Sequence, residues 1–342
     1  MSEAPASMTA EQREELAAAL DRFTIHSLWT FAFGDEPIVD VRMAAPVAML
    51  EGDHAPLIRA IQATFYDRCY ARRPPRTAPA PSAEPDLARH LAVANTSRER
   101  WDKGWVVHQF GANGQVFVRK GERERMAVPG AFLSEAVVGI APQVGASVSL
   151  RVPRETLEAQ PGYYFAFGET LDELADQLSL VRFYFNCRAD SAPALVRELT
   201  SSLNRYQTPF HLKAPTAAAA YARADAAVLY IGARYFSIVA RLVLQLRERV
   251  PLEDAVPLFT KRLWPGVGVA MEPGSGESFG SHRSHLAAEG LIEAWRRGDG
   301  RKEARLMAVA ERFAAAGLDV ARPWLGPGAA DQFVLPAEAG LS

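Results

Sequence analysis

The chain has 342 residues and a mass of 37.4 kDa; 49% of its residues are apolar and 23% charged, and its mean hydropathy is −0.08. That supply of apolar side chains can bury a full core without a metal or disulfide staple, and it excludes a disordered or fibrous chain. A formal net charge of −2, from 38 Lys and Arg against 40 Asp and Glu, excludes the global field that gathers nucleic acid or anionic lipid, so any anion site must be local.

In chain order, the first residues lack the basic and apolar regions of a signal peptide. Thr9 followed by Gln12 is a capping-box pattern, and Leu16, Leu20 and Phe23 recur on one face, which predicts a helix. A second helix is predicted over 56–70. Five prolines between Arg72 and Asp86 predict a stiff linker or long loop, placed as a break inside an N-terminal helical region spanning 1–100. A short helix follows at 87–97. The pattern then shifts to period two: two alternating runs, 105–110 and 115–119, are separated by Asn113-Gly114, which tolerates the positive φ angles of a type I′ hairpin turn.

Further strands are predicted at 147–152, 162–168, 180–187, 210–214 and 226–231. Helices are predicted among and after them at 170–178, 192–206, 235–249, 285–297 and 301–316. Hairpins mixed with helices argue for an α+β body with a mixed or antiparallel sheet over 101–320, and the Gly-, Pro- and Ala-rich segment 321–342 reads as a tail. The longest apolar stretch, 226–246, is broken by Arg234 and Arg241, so no membrane span is expected. Cys69 and Cys187 make neither a disulfide framework nor a zinc site, and a reducing cytoplasm is the expected compartment.

Cofactor motifs are absent. Gly266 and Gly268 lack the third glycine of a dinucleotide fingerprint, and no Walker phosphate loop occurs, so no cofactor is expected. His282 and His285 are spaced as chance often spaces two histidines, and no metal is expected. Ser281 and Ser284 lack a nucleophile elbow.

Several short blocks in a shared order carry a likeness. They are Val181 to Asn186 (VRFYFN), Leu203 to Pro215 (LNRYQTPFHLKAP) with Tyr221 to Tyr230, Pro257 to Arg262 (PLFTKR), and Gly266 to Ala270 running on to Gly276 through Arg283. Together with Trp105 to Arg125 and Pro161 to Thr170, they make residues 95–300 resemble the HopA-type effector family. Members of that family act as effectors injected into plant cells and, separately, as biosynthetic proteins beside a kinase-like partner in lanthipeptide and thioamitide pathways. The resemblance implies a lyase that eliminates phosphate from phosphoserine or phosphothreonine of a precursor peptide, leaving dehydroalanine or dehydrobutyrine. Its implied partners are that phosphorylated peptide and a separate kinase-like protein, with neither nucleic acid nor membrane.

Such an elimination needs a base for the Cα hydrogen, donors for the developing negative charge, and cations plus an acid for the departing phosphate. Lys213, after Phe210-His-Leu on a probable strand, is the candidate base; a surface lysine at a strand end is the plainer alternative. Arg182 shares its strand face with Tyr184 and Asn186 and is a candidate phosphate fork. Arg223 either clamps phosphate or pairs with Asp225. His108 and Lys120 flank the predicted hairpin turn, where an acid and a phosphate ligand can meet; an ordinary solvated hairpin fits equally. Lys261, His282 and Arg283 flank a Gly-rich stretch, 266–280, read as a backbone nest or simply as tight turns. His282 competes with His108 for the acid role. The other readings are a non-catalytic subunit that holds a peptide or a kinase, and a type III effector acting in a host cell.

Overall fold

The computed structural model describes residues 8–43, 54–74, 85–134, 142–274 and 276–335. The expected capping box starts helix α1 (Ala10–Asp21): the Gln12 amide donates to the Thr9 hydroxyl at 3.2 Å, and the Thr9 amide donates to the Gln12 side chain at 3.1 Å. Both donors would otherwise be orphaned at the helix start. A small antiparallel sheet follows, made of β1 (Phe23–Ile25), β2 (Thr30–Phe33) and β3 (Val39–Asp40).

Helix α2 (Ala55–Phe65) continues into a turn of π-helix, Tyr66–Tyr70, whose wider winding brings the Ala71 amide onto the Tyr66 carbonyl at 2.8 Å. The sequence predicts one helix here. Most of the Pro-rich run, 75–84, lies outside the described residues, and α3 (Pro85–Ala94) follows it.

The predicted hairpin joins β4 (Arg100–Phe110) to β5 (Val116–Lys120), with Asn113 at φ 56° and Gly114 at φ 76° in its turn. It extends with β6 (Arg123–Ala127), β7 (Phe132–Ser134) and β8 (Ser147–Val152) into a five-stranded antiparallel sheet, ordered β6-β5-β4-β8-β7. Trp105, Val107, Val118 and Val148 form this sheet's own small core.

The larger sheet has seven strands. In chain order its elements and helices begin with β9 (Glu155–Thr156), β10 (Tyr163–Phe167), α4 (Leu174–Leu178), β11 (Leu180–Phe185), α5 (Ala192–Arg205) and β12 (His211–Pro215). They continue with β13 (Ala227–Gly232), α6 (Phe236–Leu246), β14 (Lys261–Trp264), β15 (Val267–Met271), α7 (Phe279–Arg296) and α8 (Lys302–Ala315). The strand order is β14-β15-β11-β13-β12-β10-β9, and every neighbouring pair is antiparallel. The α+β class is therefore as the sequence predicts.

Two strands, β14 and β15, go beyond the predicted set. Part of the Gly-rich stretch read as a nest is in fact β15, buried beside β11. Helix α7 begins at 279 rather than 285 because the Ser278 hydroxyl caps it, accepting from the Ser281 amide at 3.2 Å.

Strand alternation sorts the large sheet's faces. Val181, Phe183 and Phe185 of β11, with Leu229 and Ile231 of β13 and Leu212 of β12, are fully buried on one face; Phe236 of α6 stacks on Phe183 with ring centroids 5.6 Å apart. The other face carries Arg182, Tyr184, Tyr230 and Lys213, partly roofed by the π-helix and α7, where Tyr70 meets Tyr184 edge-on at 6.4 Å.

One core unites Leu20 of α1 and Phe65 of α2 with Phe183 and with Phe313 of α8, so the boundary expected at about residue 100 is not a boundary of the core. The segment read as a tail also joins it. Trp324 and Phe333 are buried, and the Met271 amide donates to the Trp324 carbonyl at 2.8 Å.

Helices α7 and α8 cross so closely that a Cβ on Gly290 would lie 2.6 Å from Val309 Cα. Gly290→Ala is expected to destabilise the fold by about 1–3 kcal/mol through overpacking. Denaturant unfolding measures this, and an unchanged midpoint would mean that the two helices part freely.

Candidate functional site

The exposed face of the large sheet is where the sequence's polar alternation comes to matter. Lys213 pairs in register with Val228, and Arg182 with Tyr230, so antiparallel pairing places both cations on one face of three adjacent strands, β12, β13 and β11. Tyr163 of β10 stands on the same face, and Arg223 and Asp225 sit just before β13. The π-helix covers this face with Tyr66 and Tyr70, and the segment leading into α7 covers it with Gly276, Glu277, Ser278 and Gly280. Together they enclose a cleft of about 410 Å³.

A Cβ on Gly280 would come within 2.3 Å of the Tyr70 ring, so only glycine lets α7 close this edge.

Lys213 is half-buried. Its Nζ donates to Gln160 Oε1 at 2.7 Å and lies 3.9 Å from the centroid of the Tyr163 ring. Burial pushes its amine from an ordinary 10.5 down to about 8; Asp225 opposes that shift and the Arg182 charge adds to it.

The other cleft cations are each tied to a carboxylate. Arg182 makes a bidentate pair with Glu272, its Nη2 donating at 2.5 Å, and its guanidinium lies 5.1 Å from the Tyr230 ring centroid. Arg223 makes a second bidentate pair with Asp225, Nη2 donating at 2.5 Å, and that nitrogen also donates to the Tyr66 hydroxyl at 2.8 Å. Arg73 donates to Asp67 at 2.9 Å. Among the described cleft cations, Lys213 alone is held by an amide rather than a carboxylate.

Burial raises the pKa of the Tyr66, Tyr70, Tyr163, Tyr184 and Tyr230 hydroxyls, so all five remain protonated hydrogen-bond donors near neutrality. The Nη1 groups of Arg182 and Arg223 take no part in the carboxylate bonds above, which leaves guanidinium donors aimed at an anion. The arrangement thus offers one low-pKa amine, several neutral hydroxyl donors and fixed cations within a single concave site.

Three of the residues named from sequence, Lys213, Arg182 and Arg223, are brought together here; the other five are not. His108 and Lys120 belong to the five-stranded sheet. His108 Nε2 is 3.7 Å from Glu124, and Lys120 is held by Asp102 at 3.0 Å and by the Lys103 carbonyl at 2.6 Å. The hairpin does bring its two strands together, but in a sheet other than the one that carries Lys213.

Lys261 lies in β14, bound to Asp331 at 2.9 Å and to the Phe333 carbonyl at 2.8 Å. Arg283 is buried beneath the site; it donates to the carbonyls of Pro323 and Leu325, each at 2.8 Å, and so ties down the C-terminal segment. His282 lies outside the cleft lining. Burial and then the Arg283 charge lower its pKa, which keeps the ring neutral and makes it a poor acid at physiological pH.

Sequence reasoning missed Tyr66, Tyr70, Arg73, Gln160, Tyr230 and Glu272. The spacing of four between Tyr66 and Tyr70 is visible in the chain, but nothing in it points to a strand more than a hundred residues away.

Comparison with known proteins adds the following. The HopA1 effector protein family model matches residues 155–325. Among solved structures, the effector protein from Pseudomonas syringae pv. tomato strain DC3000 is similar, with 16% identity, a TM-score of 0.42, and coverage of 77% of this chain and 89% of that one. The effector protein from Pseudomonas syringae pv. syringae strain 61 is also similar, with 13% identity, a TM-score of 0.45, and coverage of 93% and 98%. No curated protein matches the sequence.

Proposed function

The chain belongs to the HopA1 effector protein family, whose model spans half of it, and from that premise we propose that it is a cofactor-free lyase eliminating phosphate from phosphoserine or phosphothreonine in a peptide. The observation that carries this reading is Lys213, an amine whose pKa burial lowers to about 8, facing Arg182, Arg223 and protonated tyrosines in one cleft.

In this reading the neutral Lys213 amine takes the Cα hydrogen. The C–H electron pair becomes the Cα=Cβ bond, the Cβ–O bond breaks, and phosphate departs with that bond's electrons. Tyr163 and Tyr230 donate to the carbonyl oxygen as negative charge develops. Arg182 and Arg223 steady the phosphate through guanidinium nitrogens that their carboxylates leave unused. The missing nucleotide loop assigns the phosphorylation step to a separate kinase-like protein.

Mass spectrometry of a phosphothreonine peptide incubated with the purified protein tests the reading. The expected product is lighter by one phosphoric acid; an unchanged peptide across a range of sequences would reject it.

The rate has a predicted pH dependence. Only the neutral amine is a base, so elimination should rise with pH and level off above about 8, where Lys213 is deprotonated. A rate that falls through that interval would exclude a lysine base. A second reading, a subunit that binds the phosphopeptide without reacting, is favoured by the carboxylates already engaging both arginines. It predicts tight peptide binding with no mass change.

A further inference from the structure

A second cavity, of about 530 Å³, lies against the end of the cleft. Arg223 lines both, so the two spaces meet at its side chain. The second is bounded by Asn186 and Arg188 beyond the end of β11, by Tyr221 and Ala222 before β13, and by Arg72 just after the π-helix.

Two observations set this cavity apart from an incidental hollow. Arg72 adopts φ 55°, a left-handed conformation uncommon for a residue with a side chain. Its guanidinium is held in place by Glu15 and by a 2.8 Å bond to the Val256 carbonyl, and such outliers persist where the surrounding structure imposes them, often at ligand-binding sites. Arg188, in contrast, is loosely held and mostly exposed, 3.6 Å from Asp190 and 3.9 Å from Glu253, so its guanidinium is available to peptide carbonyls.

We propose that this second cavity receives the residues adjoining the phosphorylated one, so that the protein takes an extended peptide rather than a free phosphoamino acid. The inference rests on the lyase reading for the identity of the phosphorylated residue, but it concerns binding and can be tested without the reaction. A residue seated with its phosphate near Arg182 and its Cα hydrogen near Lys213 has its neighbours directed either to solvent or past Arg223. The second cavity is the walled space on the latter path, and its volume lies within the ordinary range for ligand pockets, roughly 300–1,000 Å³. Main-chain carbonyls of an extended segment suit Arg188, while the exposed, small side chain of Ala222 lets a backbone approach closely.

Fluorescence anisotropy tests this with two labelled phosphothreonine peptides, a long one with several residues on each side of the phosphorylated residue and a short one capped directly beside it. Wild type is expected to bind the long peptide more tightly by about ten-fold or more. In Ala222→Trp, which places a large ring in the cavity mouth, the ratio of the two affinities should collapse toward one. Arg188→Glu should reduce the same ratio without filling the cavity.

Equal binding of both peptides by wild type, or an undiminished preference in both variants, would overturn the proposal. If the preference is present and lost as expected while no peptide loses phosphate, the binding site stands and the lyase reading falls. If elimination proceeds with no preference for length, the lyase reading stands and this inference falls.

Discussion

Lys213→Ala is expected to lower kcat for phosphate elimination by about 10²- to 10⁴-fold, the range that a positioned general base supplies. The loss should appear in kcat while peptide affinity changes little, because the base acts on a bond that only the transition state breaks. The protein should remain folded: the side chain is half-buried and bonded to the Gln160 amide, so its removal strands no charge. Lys213→Arg separates base from cation. A guanidinium keeps the positive charge but cannot be deprotonated, so the arginine variant should be as slow as the alanine one. Single-turnover assays on a phosphothreonine peptide measure both variants. A Lys213→Ala protein that retains most of the wild-type rate would move the base to another residue, and one that binds the peptide but never reacts, like wild type, would favour the binding-subunit reading.

The second large effect concerns the pair that closes the cleft beside Lys213. Arg223 and Asp225 are 8% and 7% exposed, bonded to each other in bidentate fashion and to the Tyr66 hydroxyl, which donates to Asp225 at 3.2 Å. Asp225→Ala leaves a buried guanidinium without its counter-charge, and a broken buried pair costs about 3–5 kcal/mol. Chemical denaturation should show a loss of that size, with the transition remaining cooperative. Replacing both members with apolar residues, Arg223→Met with Asp225→Leu, should restore most of the stability, because no uncompensated charge remains. If the double variant is as unstable as Asp225→Ala, the pair stabilises through packing rather than charge. Activity separates the roles further: the stable double variant would still lack a cation that the phosphate needs.

Much of the cleft's sheet was legible in the sequence, and the reason lies in individual strands. In β11 the run Val181-Arg-Phe-Tyr-Phe alternates apolar and polar side chains, so the face bearing Arg182 and Tyr184 can be read without coordinates. Lys213 follows from the same alternation in β12, and Arg223 with Asp225 from their position at the entry to β13. The capping box of α1 and the Asn113-Gly114 turn were legible for a similar reason, since each depends on residues a few positions apart. The strands β14 and β15 were not. Their glycines, Gly266 and Gly268, suit a turn as well as a strand, and only pairing with β11 decided between the two.

The candidate acids show the limit from the other side. His108 and Lys120 were correctly placed on neighbouring strands of a hairpin, yet that hairpin builds a separate five-stranded sheet. Local pairing says which residues of two adjoining strands meet, and nothing about which sheet the pair joins. His282 fails for a related reason: it is two residues from Gly280, which lines the cleft, but the helical turn carries its ring out of the lining, beside Arg283.

By itself, then, the sequence determined the class of fold, most element positions, and which side chains of each central strand face away from the core, because periodicity and capping are set by neighbours in the chain. The tertiary structure alone decided that Tyr66 and Tyr70 roof those strands, that Glu272 and Asp225 occupy the arginines, and that Trp324 and Phe333 are core residues. It also decided the character of Lys213. A lysine's pKa falls toward a useful value only when distant segments exclude water from it, and that burial is a property of the packed molecule rather than of any window of its sequence.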